Sequence, residues 1–400
     1  MRLRTLESFW LLKNGLLYTY PMLRQSLETE IIVVGGGITG ALISHALIDA
    51  GYKVVLLDKR DIGQGSTSAT TSMLQYEIDV PLYKLQKMIG KEAADYCYLQ
   101  GVAAIHHLEE LITTHKLRCD FQNKQSLYIA HNRRTAKWLK KEYDFRKNAG
   151  LHVSWLDAEK IEADFEIVCK GGILSETAAS IDAYQLTHEL IHFNCKRGMQ
   201  VYDQTDIEHI NFGKETVIIK TRGANTVKAQ KIIFCTGYEA TAMLKEKIAS
   251  VFYTWACISE EGIKLPEVLK NTLVWNTEEP YLYMRTTGDN RMLIGGEDSS
   301  YNSSCEKQKL KERKSKALIK KLKALMPNVD FEEDFNWGGA FGSTKDGLPY
   351  IGKSPEYKNA FFVLGFGGNG ITFSVQGMKI IIDLLQGKDN ELARCYRFGR

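Results

Sequence analysis

The eight cysteines stand far apart, at positions 97, 119, 169, 195, 235, 257, 305 and 395, and no two form a CxxC pair. That spacing excludes a thiolate zinc site and a secreted disulfide framework, and it implies a reducing, cytoplasmic setting. An excess of one charge is also lacking: 52 basic against 48 acidic residues leave +4 over 400 residues, too little to argue for a nucleic-acid partner. Unbroken apolar runs are scarce. The N-terminal stretch MRLRTLESFWLLKNGLLYTYPML is interrupted by Lys13 and Asn14-Gly15 and lacks a small-residue cleavage site, so it is not expected to act as a signal peptide. We expect residues 1–27 to form an arm that packs Phe9, Trp10, Leu11 and Leu12 on the body, with a peripheral membrane contact as the alternative. Ile31 to Ile48 runs without a charge, far enough that a membrane span has to be weighed. Four glycines, Ser44 and His45 make it a poor span. The rest is ordinary for a globular enzyme, 44% hydrophobic and 25% charged, and long enough for two domains.

What is present is a dinucleotide fingerprint. Ile31 to Val34 reads as a strand, Gly35-Gly36-Gly37-Ile38-Thr39-Gly40 as a tight turn, and Ala41 to Ala50 as a helix. A second strand, Val54 to Leu57, ends on Asp58, at the distance from Gly40 that the fingerprint requires. Gly35 permits the sharp turn, Gly37 lets the backbone approach a pyrophosphate, and Gly40 lets helix and strand pack closely. The free N–H groups of the helix start face the phosphates, and Asp58 accepts hydrogen bonds from ribose hydroxyls. His45, on that helix, reads as structural.

The run from Lys59 to Leu74 is dense in glycine and small hydroxyl residues, which build a ligand-facing loop rather than core. The spacing predicts helix from Pro81 to His115 with a break at Gly90, strand from Asp120 to His131, and a basic amphipathic helix from Arg134 to Asn148. A helix from Ala183 to Arg197 precedes three strand-like runs, Met199 to Tyr202, Thr216 to Thr221 and Ile232 to Cys235. The last of these halts at Thr236-Gly237, which suggests close approach of the backbone to the cofactor. From Val251 to Glu297 the runs are strand-like and aromatic, which predicts a largely antiparallel sheet. Glu306 to Met326 reads as a Lys-rich helix with one buried stripe, Leu310, Leu318, Ile319, Leu322 and Leu325. No aromatic residues are interleaved for nucleic-acid binding.

Near the C-terminus, TKDGLPYIG leads to a strand, Ala360 to Leu364. Gly365-Phe366-Gly367-Gly368-Asn369-Gly370 follows, and then an apolar helix from Ile371 to Leu385. No second strand ending in an acid comes after Gly370, so a second dinucleotide is not expected. A helix N-terminus remains, suited to a site that wants negative charge, such as the pyrimidine edge of a reduced flavin.

On these stretches the chain resembles the FAD-dependent amine and amino-acid oxidoreductases of the D-amino-acid oxidase superfamily, in the pattern of glycine oxidase and sarcosine oxidase. The resemblance runs from about residue 28 to the C-terminus and rests on GGGITG with Asp58, on IIFCTG, and on TKDGLPYIG followed by GFGGNG. It implies an α/β chain with a Rossmann-like FAD-binding domain (28–82, 150–245 and 336–400) and an α+β substrate domain (83–149 and 246–335). FAD contacts are implied for Gly35, Gly37, Ile38, Thr39, Gly40, Asp58, Lys59, Ser66, Thr67, Thr70, Ser72 and Met73. They are implied also for the backbone of Ile207, for Thr236 and Gly237, and for Gly368, Asn369, Gly370, Ile371 and Thr372. Two departures stand out. Gly339 takes the place of the cysteine that links FAD covalently in sarcosine oxidase-like members, so the FAD is expected to be non-covalent. Phe341 takes the place of the arginine that holds the substrate carboxylate in glycine oxidase-like members.

Arg285 reads equally as a replacement for that arginine or as structural. Tyr253, Tyr281 and Tyr283 read as an aromatic wall over the flavin or as core. The expected activity is oxidation of a primary or secondary amine, or an amino acid, by hydride transfer to FAD. Dioxygen or another acceptor then takes the electrons, with no nucleic acid, metal or membrane contact involved. The alternatives are dehydrogenation of a hydroxy acid or glycerol phosphate with a quinone acceptor, and FAD binding without turnover.

Overall fold

The computed structural model describes residues 3–301, 308–365 and 367–400. Cys305, the first residues of the Lys-rich segment and Phe366 lie outside them. Two sheets carry the architecture. In the first, the strands Ala360–Leu364, Thr226–Phe234, Leu27–Val34, Val54–Leu57 and Gln200–Tyr202 run parallel side by side. Tyr350–Lys353 closes one edge antiparallel, and the hairpin Ile207–Phe212/Val217–Thr221 is built antiparallel onto Thr226–Phe234.

Parallel strands buried on both faces need branched apolar residues throughout. Ile32, Val33, Val55, Leu56, Ile232 and Ile233 are all at most 1% exposed. Alternate residues serve opposite faces: Ile31, Val33, Val54 and Leu56 pack under the helices Ile38–Asp49, Ala183–Cys195 and Gly370–Leu385, while Ile32, Val55, Leu57 and Phe234 face the other core.

The second sheet runs in the order Glu333–Ser343, Ser250–Ser259, Met292–Ser300, Leu282–Thr286, Thr272–Asn276, Gln122–Ile129, Gly172–Ser180 and Met73–Leu74, with Val153–Leu156 beside Gly172–Ser180. Its pairings are antiparallel except for Thr272–Asn276 on Gln122–Ile129. The expected mostly antiparallel sheet is therefore present, with one parallel joint where the chain returns to a strand laid down much earlier in the sequence. There the rings of Tyr128 and Trp275 stack at 3.5 Å.

The helical stretch splits at Gly90 (φ +90°) into Leu82–Ile89 and Lys91–His115. The basic helix Arg133–Asn148 starts at a reciprocal Asn132/Thr135 cap. The Lys-rich helix Gln308–Leu325 buries Leu318, Leu322 and Leu325 behind the second sheet and leaves Leu310 and Ile319 half-buried.

The arm contains a helix, Phe9–Asn14, that buries Phe9 and Trp10. Leu12, expected to pack, is instead 59% exposed, because the contact face of so short a helix is spent on Phe9 and Trp10. Ahead of that helix the arm runs beside the strand Glu333–Ser343: Thr5 N–H donates to Gly338 O (3.0 Å), and Ala340 N–H donates to Leu3 O (2.8 Å). Among the described residues no helix is long and apolar enough to cross a membrane.

Candidate active site

The glycine turn is fixed by collisions that any side chain would cause. Gly35 has φ +109°, and a Cβ there would lie 2.5 Å from Cys235 O; at Gly40 it would lie 1.8 Å from Gly35 O. The strand end, the turn and the helix start therefore meet backbone to backbone. At Gly37 an added Cβ would meet only Thr67 Oγ1, at 2.9 Å. Thr67 Oγ1 accepts from Ile38 N–H (3.0 Å) at the start of the helix.

Asp58, at the end of the neighbouring strand, is held across the turn. Its Oδ2 accepts from Gly36 N–H (2.6 Å) and its Oδ1 from Arg60 N–H (2.8 Å). Burial pushes its carboxyl up, and these two N–H groups oppose that rise. Lys59 and Arg60 both pair with Glu239, at 2.8 and 3.0 Å.

From this cradle a cavity of about 940 Å³ extends between the two sheets. Gly35, Gly37, Ile38, Thr39, Asp58, Lys59, Ser66, Thr67, Thr70 and Met73 line it, and so do Ile207, Thr236, Gly237, Gly368, Asn369, Gly370 and Ile371. Gly40 serves packing instead. Ser72, with φ +56° and a buried side chain, turns its carbonyl away to Arg285, while Thr372 Oγ1 donates to Gln75 O at 3.1 Å.

Of the four substrate-side residues, Tyr283 and Phe341 line the cavity and Tyr253 and Arg285 do not. Tyr253 is 1% exposed and donates its hydroxyl to Gly338 O (3.1 Å). Arg285 is 4% exposed, donates to the carbonyls of Ser72 (3.1 Å) and Ile181 (3.4 Å), and lies 5.4 Å over the Trp10 ring. Burial pushes its guanidinium down to about 10. It braces the turn at Ser72 from behind and does not line the cavity.

The start of the C-terminal helix is tied to the segment that follows Met73–Leu74. Asn369 Nδ2 donates to Glu77 O (2.6 Å), and Thr39 Oγ1 and Ser374 Oγ share a hydrogen bond at 2.8 Å. Gly368 N–H lies 3.3 Å from each Asp79 carboxylate oxygen. Asp79 has surface open along the cavity wall yet is crowded by protein, and that crowding pushes its carboxyl up to about 6.

A β-bulge supplies the facing acid. Tyr253 pairs with Ser299 and Trp255 with Gly296, so Glu297 and Asp298 together oppose Thr254, and Glu297 has φ +56°. Glu297 points to the Lys-rich helix and pairs with Lys314 (3.2 Å) and Lys321 (2.7 Å). Asp298 lines the cavity beside Tyr281 and Thr254. Among the described residues its Oδ1 is buried without a hydrogen-bond partner; burial pushes its carboxyl up, and hydrogen bonds from the Thr254 and Tyr281 hydroxyls oppose that rise. Residue pattern alone does not single out Asp79 or Asp298. The nearest signal for the latter is Gly295-Gly296 inside a strand, just before two acids; Gly295 is needed because a Cβ there would lie 2.3 Å from the Tyr283 hydroxyl.

These residues fit a dinucleotide with a flavin ring. The cradle at Gly35–Gly37 is one that side chains would fill, Asp58 stands at its ribose end, and Thr236 Oγ1 is buried on the cavity wall without a partner among the described residues. The family described as FAD dependent oxidoreductase matches residues 30–384. A curated relative, the glycine oxidase of Geobacillus kaustophilus, is 24% identical over 371 residues, 90% of this chain and 93% of its own. Gamma-glutamylputrescine oxidoreductase of Escherichia coli is 23% identical, over 92% of this chain and 86% of its own. Among solved structures, the G. kaustophilus glycine oxidase superposes with a TM-score of 0.76 (22% identity, 91% of this chain and 96% of that one). L-proline dehydrogenase from P. horikoshii does so with 0.76 (18% identity, 94% and 97%). With a match across most of its length, and a glycine cradle, ribose acid and cavity to go with it, the chain belongs to the FAD-dependent oxidoreductases.

Proposed function

We propose that the chain oxidises a small amine with dissociable FAD. One observation carries this reading: a single cavity joins the dinucleotide cradle to a wall of aromatic and acidic side chains, Phe252, Tyr281, Tyr283, Phe341, Asp79 and Asp298. Asp58 would hold the ribose hydroxyls, Gly35 to Thr39 the pyrophosphate, and the backbone around Ile207 the adenine. Thr236, Gly237 and Gly368 to Ile371 would flank the ring.

Bound FAD supplies a two-electron acceptor that takes hydride from the carbon next to nitrogen, leaving an iminium for water to hydrolyse. The protein's part is to exclude water and to hold that carbon in place. A substrate nitrogen that arrives neutral needs no side-chain base. Gly339 offers no nucleophile for a covalent link, which supports dissociable FAD.

The relatives named for glycine, proline and gamma-glutamylputrescine support an amine or amino acid over a hydroxy acid or glycerol phosphate. The wall supports this too, since among the described residues its basic side chains are Lys59, Arg60 and Lys84, and the first two are paired to Glu239. The described cysteines are free thiols, which supports a reducing cytoplasm.

The test is an absorbance spectrum of the purified protein with added FAD, followed by anaerobic addition of amines, N-methyl amino acids and hydroxy acids. Amines should bleach the flavin bands, and the rate of recovery in air separates dioxygen from another acceptor. A flavin reduced by hydroxy acids alone, or by nothing, would overturn the proposal.

A further inference from the structure

The charge on the substrate side of the cavity is the reverse of what a carboxylate ligand needs. The position expected to hold an arginine is Phe341, tilted against Phe252 with ring centroids 5.7 Å apart. The acids opposite have no cation paired to them among the described residues. Asp298 is met by the hydroxyls of Thr254 and Tyr281, yet among the described residues its Oδ1 stays buried and unpartnered. Asp79 has two long contacts to one N–H, and the two carboxylates lie within each other's field. The bulge sharpens the contrast, because its other acid, Glu297, takes both Lys314 and Lys321 on the far face. A buried carboxylate oxygen without a donor is costly, and two like charges facing one space call for a positive group between them. Among the described residues no cation pairs with either acid, although Lys84 also lines the cavity and Lys314 acts on Asp298 from the far side, so a positive group of the ligand suits the space between them.

We propose that Asp298 and Asp79 receive a cationic nitrogen of the substrate, and that the substrate is a diamine without a carboxylate. This rests on the amine-oxidation reading and adds a chemical constraint to it. Hydride leaves only when the reacting nitrogen is neutral with its lone pair free, so a nitrogen held as ammonium by carboxylates is a second one. The aromatic side chains Phe252, Phe341, Tyr281 and Tyr283 suit the methylene chain between the two nitrogens.

The test uses the FAD-loaded protein and four probes: an α,ω-diaminoalkane, the monoamine and the ω-amino acid of equal length, and the fully quaternised diamine, which cannot be oxidised. The diamine should reduce the flavin anaerobically at concentrations at least tenfold below the monoamine and the amino acid. The quaternised probe should perturb the flavin spectrum and compete. Asp298→Asn should raise the dissociation constant of both dications tenfold or more, with the limiting reduction rate changing less than the binding. Glu297→Gln, which alters the acid on the opposite face, should leave those constants unchanged.

If amino acids match the diamine, or Asp298→Asn leaves binding intact, the diamine assignment falls while amine oxidation stands. Should no amine reduce the flavin, the amine reading falls, and the quaternised probe still decides the cation site. Its failure to bind, or binding indifferent to Asp298→Asn, would remove that site as well.

Discussion

Replacing Arg146 by Met probes the group that holds one wall of the cavity in place. Arg146 is fully buried in the helix Arg133–Asn148. Its Nε donates to Glu142 Oε1 (2.8 Å), its Nη1 lies 3.5 Å from Glu77 Oε1, and the rings of Tyr76, Tyr98 and Tyr128 surround the guanidinium, each 5.9 Å away. Glu142 also accepts from Leu82 and Tyr83 N–H at the start of the helix Leu82–Ile89, so it keeps partners when Arg146 is removed. Glu77 keeps the Ser175 hydroxyl at Oε1 (3.1 Å), and the Ser126 hydroxyl also acts on its carboxylate.

Methionine fills most of the volume, so the loss is mainly that of the charge. Breaking a buried ion pair from one side costs about 3–5 kcal/mol, a large share of the ~5–15 kcal/mol that holds a typical protein together. Burial already pushes the Glu77 carboxyl up against the opposing pull of Arg146; without Arg146 it rises further. A carboxyl raised in the folded state adds stability at low pH and loses it as pH rises through the folded value. The variant's deficit, read from urea denaturation at matched slopes, should therefore be largest near neutral pH and shrink as pH falls. Glu77→Gln in the Arg146→Met background should restore part of it. A loss below about 1 kcal/mol, or a deficit independent of pH, would refute the idea that the charge is isolated in the core.

Gly40→Ala should fold with the helix Ile38–Asp49 displaced, since its Cβ would lie 1.8 Å from Gly35 O; the ratio of flavin to protein absorbance after gel filtration should drop sharply, and full FAD retention would argue against the cradle. Asp58→Ala should weaken FAD tenfold or more in a fluorescence titration, about what loss of charge-assisted hydrogen bonds to ribose costs. His188, buried under Gly63 of the cofactor loop, has its imidazole pushed down to about 4 by burial. A histidine lowered in the folded state gives its full stability above about 6.5 and loses it as pH falls toward 4, up to about 3 kcal/mol; His188→Gln should flatten that slope in thermal unfolding measured across pH.

The glycine turn, Asp58 and the loop after it were legible because most of their contacts, such as Gly36 with Asp58 and Ile38 with Thr67, fall within one stretch of the sequence, even though Gly35 also abuts Cys235. The substrate wall was not, because its residues are selected by pairing between distant strands. Tyr253 and Phe252 are both aromatic, and only strand register decides that Phe252 faces the cavity while Tyr253 bonds Gly338. Arg285 could not be assigned from its neighbours in sequence, since its partner Ser72 lies 213 residues away. Asp298 depends on one extra residue in the pairing of two strands, which no period-two pattern reveals.

That extra residue ties ligand preference to the length of a strand as well as to its composition. A one-residue deletion that closed the bulge would restore regular alternation. Loss of Glu297 would keep Asp298 opposite Thr254, remove the acid paired with Lys314 and leave Lys321 with Glu278 alone, whereas loss of Asp298 would bring Glu297 round to the cavity, one methylene longer. Among relatives of this chain, then, insertions and deletions at this point of the strand would alter which molecules are accepted, even where the surrounding residues stay the same.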